Sequence, residues 1–169
     1  MGIALEDFKA KVGDVARPNR FLLSFTSPAG GADAESITYM VKGAQLPGRS
    51  IGDILLNWQG MQNKLAGDPI FDDFTVTFLH DYDQVARGTV EAWMKLIDNQ
   101  NSNERETQSV YKIEATVQQL GRKEGEVLAT YQLTGFYPKV LDPMDLNMDS
   151  VDTPGEWGAT FSVDYWNRL

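Results

Sequence analysis

Apolar and polar residues alternate with a period of two along most of the chain, the pattern of strands with one buried face. In residues 19–26 the apolar face is Phe21, Leu23 and Phe25. In 36–42, Ile37, Tyr39 and Val41 alternate with Thr38, Met40 and Lys42. The same alternation predicts strands over 73–80 (Phe74, Val76, Phe78) and 110–118 (Tyr111, Ile113, Ala115, Val117). It continues over 127–134 (Val127, Ala129, Tyr131, Leu133) and 157–166 (Trp157, Ala159, Phe161, Val163, Tyr165). Residues 52–58 and 62–65 flank Gly60 and predict a hairpin.

One segment changes period. Over about 84–98, Ala86, Val90, Trp93 and Ile97 recur at helical spacing. Asp83 is the expected N-cap, and Glu91 and Lys95 the expected i, i+4 pair. Residues 27–34 (SPAGGADA) are expected as a flexible loop, and 45–50, 121–126 and 153–155 as turns. Neither a repeat nor a linker interrupts the 169 residues, a length that suits one domain. The expected fold is mainly β: an antiparallel β-sandwich or barrel-like arrangement with one flanking α-helix.

Charge narrows the choice of partners. There are 24 acidic and 15 basic residues, a net −9 that disfavours a dedicated nucleic-acid binder or a protein docking on anionic membrane. The absence of cysteine excludes disulfides, zinc ribbons and thiol nucleophiles. Residues 1–11 are amphipathic with Glu6 and Asp7, unlike a signal peptide, and no apolar run approaches the roughly 20 residues of a membrane span. The expectation is a soluble protein made in a cytoplasm.

Candidate chemistry is sparse. The sole histidine, His80, is in phase with Phe78 at a strand end, where ordinary hydrogen bonding accounts for it. Nucleophile-elbow and phosphate-loop motifs are absent from the sequence. A calcium-like run places Asp145, Asn147, Asp149 and Glu156 at positions 1, 3, 5 and 12 of a loop. However, Ser150 stands where such a loop needs glycine, and Pro154 interrupts it. The competing reading is a strand with Leu146 and Met148 inward and the acids outward. Neither a catalytic residue, a metal nor a cofactor is assigned, and no constellation of residues supports reading the chain as an enzyme.

Landmarks in order carry a resemblance. Ala16-Arg17-Pro18-Asn19 leads into the first strand, and Lys42 and Leu46-Pro47 follow the second. Asn63-Lys64-Leu65-Ala66-Gly67-Asp68 precedes Phe71-Asp72-Asp73-Phe74-Thr75-Val76-Thr77. Asp83, Arg87 and Trp93 mark the helix, Gly135 and Pro138 follow a long strand, and the last strand ends Phe161-Ser162-Val163-Asp164-Tyr165-Trp166. Across nearly the whole chain this resembles the tail tube family of contractile-tailed bacteriophages. The Gly/Ala-rich loop over 27–34 and the three residues after Trp166 depart from that pattern.

The resemblance implies a fold similar to the tubes of type VI secretion and contractile injection systems. It implies six-membered rings stacked into a hollow tube inside a contractile sheath, with DNA a non-adhering passenger. The partners implied are other copies of the chain, the tail sheath protein, the tape measure protein and the baseplate hub, with neither membrane nor small-molecule substrate. Alternatives are the inner tube, or a tube-like baseplate or terminator protein, of a contractile injection system, and a carbohydrate-binding β-sandwich using Trp58 or Trp166. For stacking of rings the candidates are the hairpin over 48–65 (Ile54, Leu56, Trp58, Gln62, Lys64) and the arm over 1–18 (Phe8, Arg17, Pro18). The polar strand faces carrying Thr75, Thr77, Thr116, Gln118, Thr130 and Gln132 are candidates for a wet, non-sticky lumen wall. An acidic lumen would repel phosphate, and residues 142–169 hold six acids against Arg168.

Overall fold

A computed structural model describes residues 5–12, 16–31, 34–123 and 125–169. Helix α1 (Leu5–Val12) precedes strand β1 (Phe21–Phe25). Helix α2 (Ala34–Met40) runs directly into β2 (Val41–Ala44). Then come β3 (Arg49–Trp58), β4 (Met61–Phe71), β5 (Phe74–Leu79) and helix α3 (Val85–Ile97). Two short strands, β6 (Asp98–Asn99) and β7 (Glu104–Arg105), and the turn-length helix α4 (Gln108–Tyr111) lead to β8 (Ile113–Leu120). The chain closes with β9 (Val127–Leu141), β10 (Glu156–Ser162) and β11 (Tyr165–Arg168).

The main sheet is antiparallel, in the order β1-β8-β9-β10-β5-β2, with β11 also paired to β9. Its ends, β1 and β2, are not paired to each other, so it does not close into a barrel. Strand β9 is the pivot. Its first half pairs with β8 and β11, and its second half with β10. The corner falls at Gly135, whose φ of 72° lies in the left-handed region. A Cβ there would sit 2.2 Å from the Asp164 carboxylate, so the corner needs both the conformation and the space. Past it, Pro138 pairs with Phe161 beside a register shift, where the ladder tolerates a residue without an N–H.

The core is the inward row of each strand plus one stripe of α3. Leu23, Phe25, Phe74, Val76, Phe78, Ala115, Val117, Leu133, Trp157, Ala159 and Phe161 are buried where alternation places them. Phe136 stacks on Phe161 at 4.4 Å between ring centroids, and Trp157 on Phe78 at 4.5 Å. From α3, Ala86, Val90 and Trp93 enter this cluster, and the Trp93 indole donates to the Tyr111 carbonyl at 3.0 Å. Truncating such a filled core aromatic to alanine costs about 3–5 kcal/mol.

Several elements differ from the sequence expectation. Residues 34–40 form a helix, not a strand: Ile37 and Met40, three apart, face the core, while Tyr39 is exposed. Over a segment this short the apolar positions fit both periods, and the Thr38 hydroxyl donating to the Leu23 carbonyl at 2.7 Å seats the helix on β1. The loop expected to be flexible over 27–34 is, where described, seated on the protein: Ser27 is buried and Gly31 abuts Thr89. Asp81, not Asp83, serves the N-terminus of α3, its carboxylate accepting from the Val85 amide at 2.8 Å. Gln84 in the left-handed region makes this possible by turning the chain before the helix begins. Glu91 pairs with Arg87 at 2.9 Å rather than with Lys95. The final strand breaks in two at Val163–Asp164, leaving Tyr165 exposed.

Candidate assembly surfaces

The β3–β4 hairpin pairs only within itself, as a separate two-stranded sheet. Its turn is Gln59-Gly60, both with positive φ (45° and 82°), the geometry whose twist matches flanking strands. The two-residue turn fixes the register: Trp58 opposite Met61, Leu56 opposite Asn63, Ile54 opposite Leu65. One face therefore carries Ile54, Leu56, Trp58, Met61 and Leu65, all exposed, with Trp58 and Met61 each 74% accessible. The other face carries Leu55, Asn57, Gln62 and Lys64, with Lys64 3.8 Å from Asp53. Of the hairpin residues singled out from sequence, Ile54, Leu56 and Trp58 share a face, and Gln62 and Lys64 lie on the opposite one. Met61 and Leu65 complete the apolar face. Pairing outward from Gly60 would have found them.

The base of the hairpin is anchored. Trp166 donates from Nε1 to the Gly48 carbonyl at 3.0 Å and meets Phe71 edge-on at 6.4 Å. Two residues at the two roots of the ribbon are thus held by one indole, while the ribbon beyond carries the exposed rows.

Of the arm, residues 1–4 and 13–15 lie outside the described residues. Leu5 and Phe8, three apart on α1, are exposed on one side of it. Arg17 and Pro18 are exposed, and Arg17 lines a cavity of about 760 Å³ with Arg20, Leu120, Arg122, Lys123 and Leu128. Arg20 Nη1 donates to the carbonyls of Gly121 at 3.0 Å and Arg122 at 2.6 Å, tying β1's approach to the β8–β9 turn. The Glu126 carboxylate accepts from the amides of Arg122 and Lys123 at 3.0 and 3.1 Å.

The polar strand residues fall into two groups. Thr116 lies opposite Gln132, and Gln118 opposite Thr130, making one contiguous patch across β8 and β9. Glu114 joins it by accepting from Gln132 Nε2 at 2.8 Å. Thr75 and Thr77 lie apart on β5, Thr75 opposite Thr160 with hydroxyls 3.5 Å apart.

The calcium-like run is an irregular turn. Asn147 Oδ1 accepts from the Asp149 amide at 3.0 Å, and Glu156, on β10, is engaged by Lys42. Leu146 and Met148, expected inward on a strand, are exposed because residues 142–150 form no strand that could bury them. Among the described residues, no three acidic or histidine side chains converge as a metal site. His80 caps β5 through its backbone, donating to the Gly155 carbonyl at 2.8 Å. Lys112, paired with Asp164 at 2.8 Å, has its pKa raised above 10.5, chiefly by that hydrogen bond. Lys139 is raised likewise by Asp73.

A sequence model described as "Phage tail tube protein" matches residues 16–169, every strand from β1 to β11. The chain belongs to the phage tail tube protein family. As a tail tube protein it is a structural component of the tail of the virion. It is 28% identical over 155 residues to the tail tube protein gp19 of Enterobacteria phage T4, covering 91% of this chain and 92% of that protein. The fold is shared with a chain of the sheath/tube terminator of the PVC extracellular contractile injection system (TM-score 0.71, 16% identity, covering 94% and 99% of the two chains). A chain of the PVC sheath–tube complex is similar as well (TM-score 0.68, 15% identity, covering 99% of each). Helix α1 precedes the span that the family model matches.

Proposed function

We propose that this tail tube protein forms closed rings of six copies that stack into a hollow tube, and that the β3–β4 hairpin is the principal element joining one ring to the next. The observation carrying the proposal is the apolar face of Ile54, Leu56, Trp58, Met61 and Leu65 held in water on a ribbon that pairs with no other strand and is anchored only at its base. A lone two-stranded ribbon is marginal in water. Burying apolar area returns about 25 cal/mol per Å², so such a face has its use in a partner. A ring contact closes on itself and an axial contact does not, which together give a tube. Obligate contacts of this kind bury on the order of 2,000 Å² or more.

The lumen wall in this reading is the uncharged patch of Thr116, Gln118, Thr130 and Gln132 with Glu114 at its edge. Short polar side chains hold water, and a chain of net −9 gives passing DNA no cationic foothold. The tape measure protein fills the channel before ejection and a contractile sheath encloses the tube, in keeping with the sheath–tube complex in which a similar fold occurs. Removal of Ile51 through Lys64 should leave a folded subunit that no longer polymerises. Tubes assembled from the shortened chain would overturn the hairpin's role.

A further inference from the structure

The two ends of β9 carry opposite chemistry. At its start, the 760 Å³ cavity is lined by Arg17, Arg20, Arg122 and Lys123 against Glu126, whose carboxylate is already held by backbone amides. Four of the chain's 15 basic residues thus meet in one place on a protein of net charge −9. The lining is also part apolar, with Leu120 and Leu128 between the cations. Its volume lies within the roughly 300–1,000 Å³ of pockets that hold a ligand.

Beyond the last residue of β9, Leu141, residues 142–152 present the inverse. Asp142, Asp145, Asp149 and Asp152 alternate with Leu146, Met148 and Val151, which are 86%, 101% and 74% exposed. The segment is tied to β10 by the Asp142 amide donating to the Gly158 carbonyl at 2.9 Å and shaped further on by the Asp149 amide to Asn147 Oδ1 and the Ser150 amide to the Asn147 carbonyl at 3.3 Å. Apolar side chains this exposed, on a turn with fixed geometry, are arranged for a partner. Loop and cavity adjoin opposite ends of the 15-residue β9, which turns a corner at Gly135.

We propose that the acidic, apolar loop 142–152 of one copy docks into the basic, apolar cavity beneath the β8–β9 turn of the next. Cavity and loop match in both charge and apolar content, and a contact between opposite ends of the same strand is head-to-tail, the heterologous type that propagates. Lys123 and Arg17 meet the aspartates, and Met148 and Leu146 meet Leu120 and Leu128. The exposed Asp145, Asp149 and Asp152 then serve the contact between copies rather than the lumen. This inference rests on the reading that the chain self-assembles.

Charge exchange tests it. Two full-length variants are needed: Arg17→Glu with Lys123→Glu, and Asp145→Lys with Asp149→Lys, each checked for unchanged thermal unfolding. The expected result is an at least tenfold rise in the concentration needed for sedimentable assemblies of either variant alone. Mixing the two, or combining all four changes in one chain, should restore assembly, because each reversed cavity then meets a reversed loop. Normal assembly of the single-sided variants beside an assembling wild type would overturn the docking and leave the tube reading intact. Loss of assembly without rescue would overturn it too, by assigning the cavity another partner. A wild type that stays monomeric would overturn the reading beneath it.

Discussion

The indole of Trp166 donates to the carbonyl of Gly48 at 3.0 Å, so the strand that ends the fold holds the residue from which the hairpin departs. The same ring meets Phe71, the last residue of β4, and Tyr131 on β9. This side chain thus ties both roots of the exposed ribbon to the rest of the fold. Replacing Trp166 with Phe keeps an aromatic ring but removes the donor. A net hydrogen bond is worth about 1 kcal/mol, and among the described residues the Gly48 carbonyl keeps a partner only in the Asp72 amide at 3.5 Å. The expected outcome is a loss of about 1 kcal/mol in denaturant unfolding, with faster amide exchange at Asp72. Unchanged exchange there would show that the hairpin base is held by other contacts.

Gly135 and Asp164 share a space that admits no methyl group. The Gly135→Ala change must place a side chain in the left-handed region, costing roughly 1–2 kcal/mol, and must also displace the Asp164 carboxylate. Displacing it strains the ion pair with Lys112. Thermal unfolding should register a loss of at least that size. The loss should shrink in an Asp164→Ala background, because the collision is then gone while the backbone term remains.

The Lys112–Asp164 pair also sets an alkaline limit. Its hydrogen bond raises the lysine above its ordinary 10.5, so the folded state holds the proton more tightly than the unfolded chain. Stability from this source is complete below pH 10.5 and is lost as pH rises through the elevated value. The stability gap between wild type and Lys112→Met should therefore narrow above that pH, with Lys139, raised by Asp73, contributing the same trend to both proteins. A gap constant across that range would remove the assignment.

Sequence pattern revealed the strands that pack on one side only, because a half-buried strand must alternate. Phe74, Val76 and Phe78 are buried in register, as are Ala115 and Val117. It misjudged α2, where Ile37, Tyr39 and Val41 satisfy a period of two although the helix buries Ile37 and exposes Tyr39. It stopped β9 at residue 134, with Gly135 and Pro138 placed after the strand. In three dimensions they are a corner and a residue beside a bulge. The hairpin was legible from Gly60, but which side chains share its apolar face depends on the two-residue turn. The cavity around Arg17 and Lys123 was not legible, since it joins residues more than 100 positions apart that no local pattern connects.

The central claim is that this chain builds a tube by itself. Negative-stain electron microscopy of the purified full-length protein, over rising concentration, tests it most directly. The account predicts rings with a central hole, of six copies each, stacking into tubes. Monodisperse single subunits at every concentration would contradict it.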